Sequence, residues 1–223
     1  VHNGSETSAD SFSYTIKDAQ GLVSAPVSVA ITITGANDLP VVDPTSPGFD
    51  PVAGNYSVTT EEDQPVSGKV VATDADGDTL SYAIGTGPAH GTVTVNPDGN
   101  WTYTPSANFN GPDTFTVTVS DGQGGVTTAT VAVGVTPVND APVANADSAT
   151  VAEGGSVLIN VAGNDGDIDS ALDLSSIVIT SAPANGTVTL NADGTVSYVH
   201  NGSETSADSF SYTIKDAQGL VSA

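Results

Sequence analysis

The sequence contains no cysteine and no methionine, only three basic side chains (Lys17, Lys69 and Lys215), and 5% aromatic residues. Each shortage excludes something. Without cysteine there is no disulfide staple and no thiol nucleophile, so a chain working outside the cell needs another brace, and a metal held by carboxylates is one it could use. Three basic residues against 26 acidic ones leave a formal net charge of -23, which excludes nucleic acid as a partner. No apolar run approaches the roughly 20 residues of a membrane span, so this segment is not inserted in a membrane. There is no N-terminal signal, but the chain begins in mid-repeat, so its absence says nothing of the parent protein. Acidic chains poor in aromatics are often disordered. Here the apolar 38% is Val, Ile, Tyr and Phe alternating with Thr and Ser, the pattern of half-buried strands.

What is present is repetition. Residues 1–25, VHNGSETSADSFSYTIKDAQGLVSA, recur letter for letter as residues 199–223, 198 positions later. A self-match of that length implies a tandem array. Inside the period lies a weaker repeat: GTVTVNPDGNWTYTP from Gly91 matches GTVTLNADGTVSYVH from Gly186, and PDTFTVTVSDGQGG from Pro112 matches ADSFSYTIKDAQGL from Ala207, both 95 apart. Each unit is flanked by an Asn-Asp-x-Pro linker, Asn37-Asp38-Leu39-Pro40 and Asn139-Asp140-Ala141-Pro142. The reading is therefore the end of one domain over 1–36 (its last two strands), a complete domain with linkers over 37–140, and the first six strands of the next domain over 141–223.

The complete domain carries strand patterns over 56–60, 66–73, 79–84, 91–95, 100–104, 113–120 and 126–135, termed A to G, separated by Asp-Gly, Gly-Pro and Gly-Gly turns. Seven short antiparallel strands predict an all-β protein of tandem Ig-like or cadherin-like sandwiches. Period two points Phe115, Val117 and Val119 inward and Thr114, Thr116 and Thr118 outward. Trp101 and Tyr103 join the core from strand E. A core place argues against Trp101 as a sugar platform.

Strand parity places the acids. If strand A runs from upper to lower pole, the A–B turn Glu61-Glu62-Asp63 and Asp113 at the start of F lie below, with the outgoing linker Asn139-Asp140. The B–C loop Asp74-Ala75-Asp76-Gly77-Asp78 and the F–G turn Asp121 lie above. Each junction then collects acids from both sides: Asp10, Asn37 and Asp38 facing Asp74, Asp76, Asp78 and Asp121 at the first, and Glu61, Glu62, Asp63, Asp113, Asn139 and Asp140 facing Asp165, Asp167, Asp169 and Asp216 at the second. Asp208, which matches Asp113, is counted with them. So many carboxylates repel unless a cation neutralises them, and with so few Lys and Arg it must come from solvent. Oxygen-only donors in flexible arrays of 6–8 ligands select calcium. Asp98 and Asp193 in the D–E turns read as ordinary turn residues. The loop is not an EF-hand, because Gly77 stands fourth instead of sixth and Gly85 stands where the twelfth-position Glu is required.

Asn-Asp-x-Pro linkers, an acidic pair before strand B, Asp-x-Asp-Gly-Asp after it and Asp-x-Phe-x-x-x-x-x-Asp-Gly late in the domain resemble the bacterial cadherin-like and VCBS repeats of RTX adhesins, over essentially the whole chain. That resemblance implies calcium-stiffened spacers of secreted, surface-associated bacterial proteins that hold binding modules away from the cell. It also implies Glu62, Asp74, Asp76, Asn139 and Asp140 as ligands, with Asn37 and Asp38 in the other linker. The second domain departs from the pattern, with Glu153 followed by Gly154-Gly155 and the longer loop Asp165-Gly166-Asp167-Ile168-Asp169. The RTX nonapeptide itself is absent.

Nothing points to an enzyme. His2, His90 and His200 read as solvated turn residues, and neither a Ser-His-Asp arrangement nor a phosphate loop repeats with the domains. The leading expectation is a spacer for adhesion or biofilm formation whose partners are neighbouring repeats. The alternative is a sugar- or cell-binding module. The cut ends are expected to associate head to tail, residues 26–34 adding to the open edge of the domain over 141–223.

Overall fold

The alternation of β-branched and hydroxyl side chains becomes strands in the computed structural model, which describes residues 8–223. The first seven residues, with His2 and the start of the domain expected over 1–36, lie outside the described residues. Among the described residues there is no helix. The chain divides into two compact units, Val1–Pro137 and Val138–Ala223.

Unit 1 begins with an antiparallel hairpin of β1 (Ala9–Tyr14) and β2 (Val27–Thr32), in which Ala9 faces Thr32 and Tyr14 faces Val27. The strands of its sandwich are β3 (Val41–Val42), β4 (Phe49–Asp50), β5 (Asn55–Glu61), β6 (Val66–Lys69), β7 (Ala72–Thr73), β8 (Ser81–Ile84), β9 (Gly91–Val95), β10 (Asn100–Pro105), β11 (Gly111–Ser120) and β12 (Val126–Thr136). One sheet runs β4-β5-β12-β11-β8, the facing one β6-β10-β9, and β3 pairs with β7. Three details differ from expectation. Strand B is broken into β6 and β7, and short β3 and β4 precede strand A. The β5–β12 pair is parallel, because both run from the pole where the chain arrives to the pole where it leaves, and they lie side by side.

The core is the one that period two predicts. Tyr56, Trp101, Tyr103, Phe115, Val117, Val119, Val131 and Val133 form a single buried cluster, and each fully buried apolar side chain contributes about 1.5–3 kcal/mol. Trp101 packs edge-on against Phe115, with ring centroids 5.2 Å apart.

Unit 2 holds β13 (Ser156–Ile159), β14 (Leu172–Ser181), β15 (Gly186–Leu190), β16 (Val196–His200) and β17 (Ser211–Asp216), arranged as β13-β16-β15 and β14-β17. Its core is smaller: Val161, Ile177, Val196 and Ile214. The same tyrosine device serves both units. A Cβ on Gly91 would meet the Tyr103 ring at 2.7 Å, and one on Gly186 the Tyr198 ring at 2.5 Å, so only glycine lets the ring lie across the neighbouring strand.

Candidate metal centre

In unit 1 the linker, the B–C loop and the F–G turn meet at one pole. Asn37 Nδ2 donates to Asp121 Oδ2 at 2.8 Å, and the Asp38 N–H donates to Asp76 Oδ2 at 2.7 Å. The loop between β7 and β8 is held by its first acid: Asp74 Oδ1 accepts the N–H groups of Asp76 and Asp78 at 3.0 and 3.3 Å. That turn aims carboxylates together, so that one oxygen each from Asp74, Asp76 and Asp78 lies within 4.8 Å of the others. The second oxygen of Asp74 is buried without a hydrogen-bond partner. A buried carboxylate oxygen without a donor is costly, and an oxygen-seeking cation would satisfy it.

Unit 2 repeats the arrangement. Asn139 Nδ2 donates to Asp216, and the Asp140 N–H to Asp169 Oδ2 at 2.8 Å. Asp167 Oδ1 accepts from the N–H groups of Asp169 and Ser170 while its Oδ2 is buried without a partner. Asp167 and Asp169 thus take the places of Asp74 and Asp76. Asp165 faces elsewhere: it accepts the Asn145 N–H at 2.7 Å and lies 3.0 Å from the Tyr212 hydroxyl. Asp147, which sequence reasoning passed over, lies beside it, and burial together with the Asp165 charge raises its carboxyl above the usual range.

Asp121 and Asp216 are buried and already employed. Oδ1 of Asp121 accepts from Gln123 and Gly125, and Oδ1 of Asp216 from Gln218 and Leu220. The Asn37 bond, helped by the turn N–H groups, holds the Asp121 carboxyl below the usual range despite burial. For Asp216, burial pushes upward, but Asn139 and the turn N–H groups win and lower it. Asp18, between β1 and β2, caps its own turn the same way, accepting from Gln20 and Leu22. The exact repeat of 199–223 could have flagged it.

Asp113 and Asp208 are engaged differently from the sequence reading. Asp113 Oδ1 accepts from Ala89 and Thr114, and its Oδ2 from the His90 N–H and the Tyr103 hydroxyl at 2.9 Å. Asp208 makes the same four bonds, to Ala184, Ser209, Asn185 and Tyr198. A carboxylate offers about four lone-pair sites, so each is filled by protein. Burial pushes the Asp113 carboxyl up, but the four donors outweigh it and hold it below the usual range, while burial and that carboxylate raise the Tyr103 hydroxyl. Asp10, their counterpart, is exposed and accepts the Ser11 N–H.

The remaining candidates are engaged within their own units. Glu61 ends β5, Glu62 is buried with its N–H on Thr136 O, and Asp63, at φ 59°, accepts the Asn108 N–H at 3.0 Å. Glu153 is exposed. Asp98 and Asp193 cap their own turns, bonding Asn100 and Thr195. His200 is corrected: it is buried at the end of β16, its Nδ1 accepting from Gly154 and Gly202. His90 stacks on Phe109, with centroids 4.3 Å apart. Trp101 is 2% exposed and offers no face to a sugar.

Two facing antiparallel sheets closed by a parallel first and last strand, with a linker fastened to the loops of one pole, define an Ig-like sandwich repeat. A sequence profile described as the bacterial Ig domain matches residues 49–134 and 139–223, and the chain belongs to that family. No curated protein matches the sequence. Among solved structures, mouse cadherin-23 EC22-24 is similar at 19% identity and a TM-score of 0.52, over 100% of this chain and 74% of that one. Extracellular cadherin domains 1-4 of protocadherin gamma B7 are similar at 16% identity and a TM-score of 0.50, over 100% of this chain and 57% of that one. The chain also spans 33% of the length of an endo-fucoidan hydrolase from glycoside hydrolase family 107, at 21% identity over 98% of itself and a TM-score of 0.38. Identities at this level concern the fold alone. No helix among the described residues is long and apolar enough to cross a membrane.

Proposed function

We propose that the chain is a calcium-stiffened spacer: Ig-like repeats of the cadherin-like or VCBS type, from the extension region of a secreted bacterial adhesin of the RTX class, whose role is reach and rigidity instead of catalysis. The reading rests above all on Asp74. One of its oxygens orders the acidic loop, the other is buried without a donor, and Asp167 repeats both features in the second unit.

Calcium fits the donor set. Asp74, Asp76 and Asp78 would hold it in unit 1, and Asp167 and Asp169 in unit 2, all through hard oxygen atoms that suit calcium over zinc or copper. The linker acids Asp38 and Asp140, whose N–H groups already bond the loop, bring further oxygens. A cation held jointly by a linker acid and the loop of the same repeat would order that linker.

Titration calorimetry on chelator-treated protein tests the binding: calcium should give saturable heat that Asp74→Asn together with Asp167→Asn removes. Small-angle scattering tests the stiffness, since Asp140→Ala in saturating calcium should broaden the distance distribution. No heat with the unaltered chain would overturn the reading.

A further inference from the structure

Asp74 and Asp167 each order an acidic loop with one oxygen, but the two loops differ by one residue. Asp74 Oδ1 accepts the N–H groups of Asp76 and Asp78, two and four positions on. Asp167 Oδ1 accepts those of Asp169 and Ser170, two and three positions on. The turn of unit 2 is therefore one residue tighter, and Ser170 holds the place that Asp78 holds in unit 1. In unit 1 that place matters, because Asp78 completes the group of three carboxylates with Asp74 and Asp76. Among the described residues no other three acids gather so closely. In unit 2 the residue at that place carries a hydroxyl, and Ser170 Oγ is buried without a hydrogen-bond partner, as is Asp167 Oδ2.

We propose that Ser170 Oγ is a direct ligand of the cation in unit 2, standing in for the Asp78 carboxylate, and that unit 2 therefore binds calcium more weakly than unit 1. The inference rests on the calcium reading above, and adds to it a further ligand atom and a ranking of the two sites.

The first support is the unbonded hydroxyl. Burying a hydroxyl without a partner is costly, and a cation would supply the partner that the protein does not. A serine oxygen keeps two lone pairs while its proton rotates aside, so it can serve a hard cation beside carboxylates.

The second support is that the remainder of the two sites matches. The linker N–H groups of Asp38 and Asp140 bond Asp76 and Asp169, and the Asn37 and Asn139 amides bond Asp121 and Asp216. The additional acids near the loop of unit 2 are employed elsewhere: Asp165 on Asn145 and Tyr212, and Asp173 on Ser175. What distinguishes the loops is a carboxylate in one and a hydroxyl in the other, a difference of one negative charge. Charge count among the ligands is a main determinant of calcium affinity.

Titration calorimetry with calcium chloride on chelator-treated protein reads each site alone, unit 2 in the Asp74→Asn variant and unit 1 in the Asp167→Asn variant. The dissociation constant of unit 2 should lie about tenfold or more above that of unit 1. On the Asp74→Asn background, Ser170→Asp should recover that factor, and Ser170→Ala should weaken unit 2 further. Thermal melting separates a ligand from a merely structural hydroxyl. In chelator, Ser170→Ala should melt unit 2 at the same temperature or slightly higher, because an unbonded buried hydroxyl is removed. In calcium the same variant should melt unit 2 below the unaltered chain. Saturable heat in both units, with constants that neither Ser170 variant moves, would overturn this inference and leave the calcium reading standing. Absence of heat in the unaltered chain would overturn both.

Discussion

Asn37 donates its side-chain amide to the Asp121 carboxylate at 2.8 Å, joining a linker to a turn 84 residues further along the chain. Asn139 does the same to Asp216 in the next repeat. Each latch leaves the other carboxylate oxygen to hold the F–G turn, so hydrogen bonds fasten the linker to that turn. Replacing Asn37 with Ala should lower the melting temperature of unit 1 by a few degrees and leave unit 2 unchanged. Calorimetry that separates the two transitions checks this; equal shifts in both units would contradict it.

Asp113 gives a pH dependence whose sign is fixed. Its carboxyl is held below the usual value of 3.8 in the folded state, so its stabilisation is fully present above that value and is lost as the pH falls through its lower folded value. Asp113→Asn keeps the shape but cannot accept from both the His90 N–H and the Tyr103 hydroxyl with its amide nitrogen. It should cost about 2–3 kcal/mol at neutral pH, and the variant should lose less stability than the unaltered chain on acidification. Urea denaturation at neutral and acid pH measures both effects.

Gly68 lies under the indole. A Cβ there would run into the Trp101 ring at Cζ2, so Gly68→Ala should destabilise unit 1 by about 1–3 kcal/mol. Gly87, where a Cβ meets nothing within 4 Å, should accept Ala with little change. Fluorescence of the single tryptophan reports the unfolding of unit 1 directly.

Much of this was legible in the sequence because period two is a strong signal where one face is buried. The strand expected over 91–95 matches β9, and the inward set Phe115, Val117 and Val119 is buried. β3 and β4 were missed because two-residue strands carry no periodicity. The clustering of Asp74, Asp76 and Asp78 followed from spacing, whereas the corresponding register in the second loop did not. There Asp167, not Asp165, caps the turn, a choice made by which backbone N–H groups curl back. The task of Asp113 and Asp208 was hidden for a related reason. Residue type and pole suggested a ligand, but two of the four donors that fill each carboxylate come from a loop 23 or 24 residues away, and sequence does not count them.

If calcium fills the buried oxygens of Asp74 and Asp167, as proposed, thermal melting in calcium against chelator reads it directly. A ligand that binds only the folded state stabilises by about 4 kcal/mol when it is a thousandfold above its dissociation constant. Calcium should therefore raise both transitions of the unaltered chain, Asp74→Asn should remove the gain from unit 1 alone, and Asp167→Asn from unit 2 alone. Identical melting curves in calcium and in chelator would contradict the account.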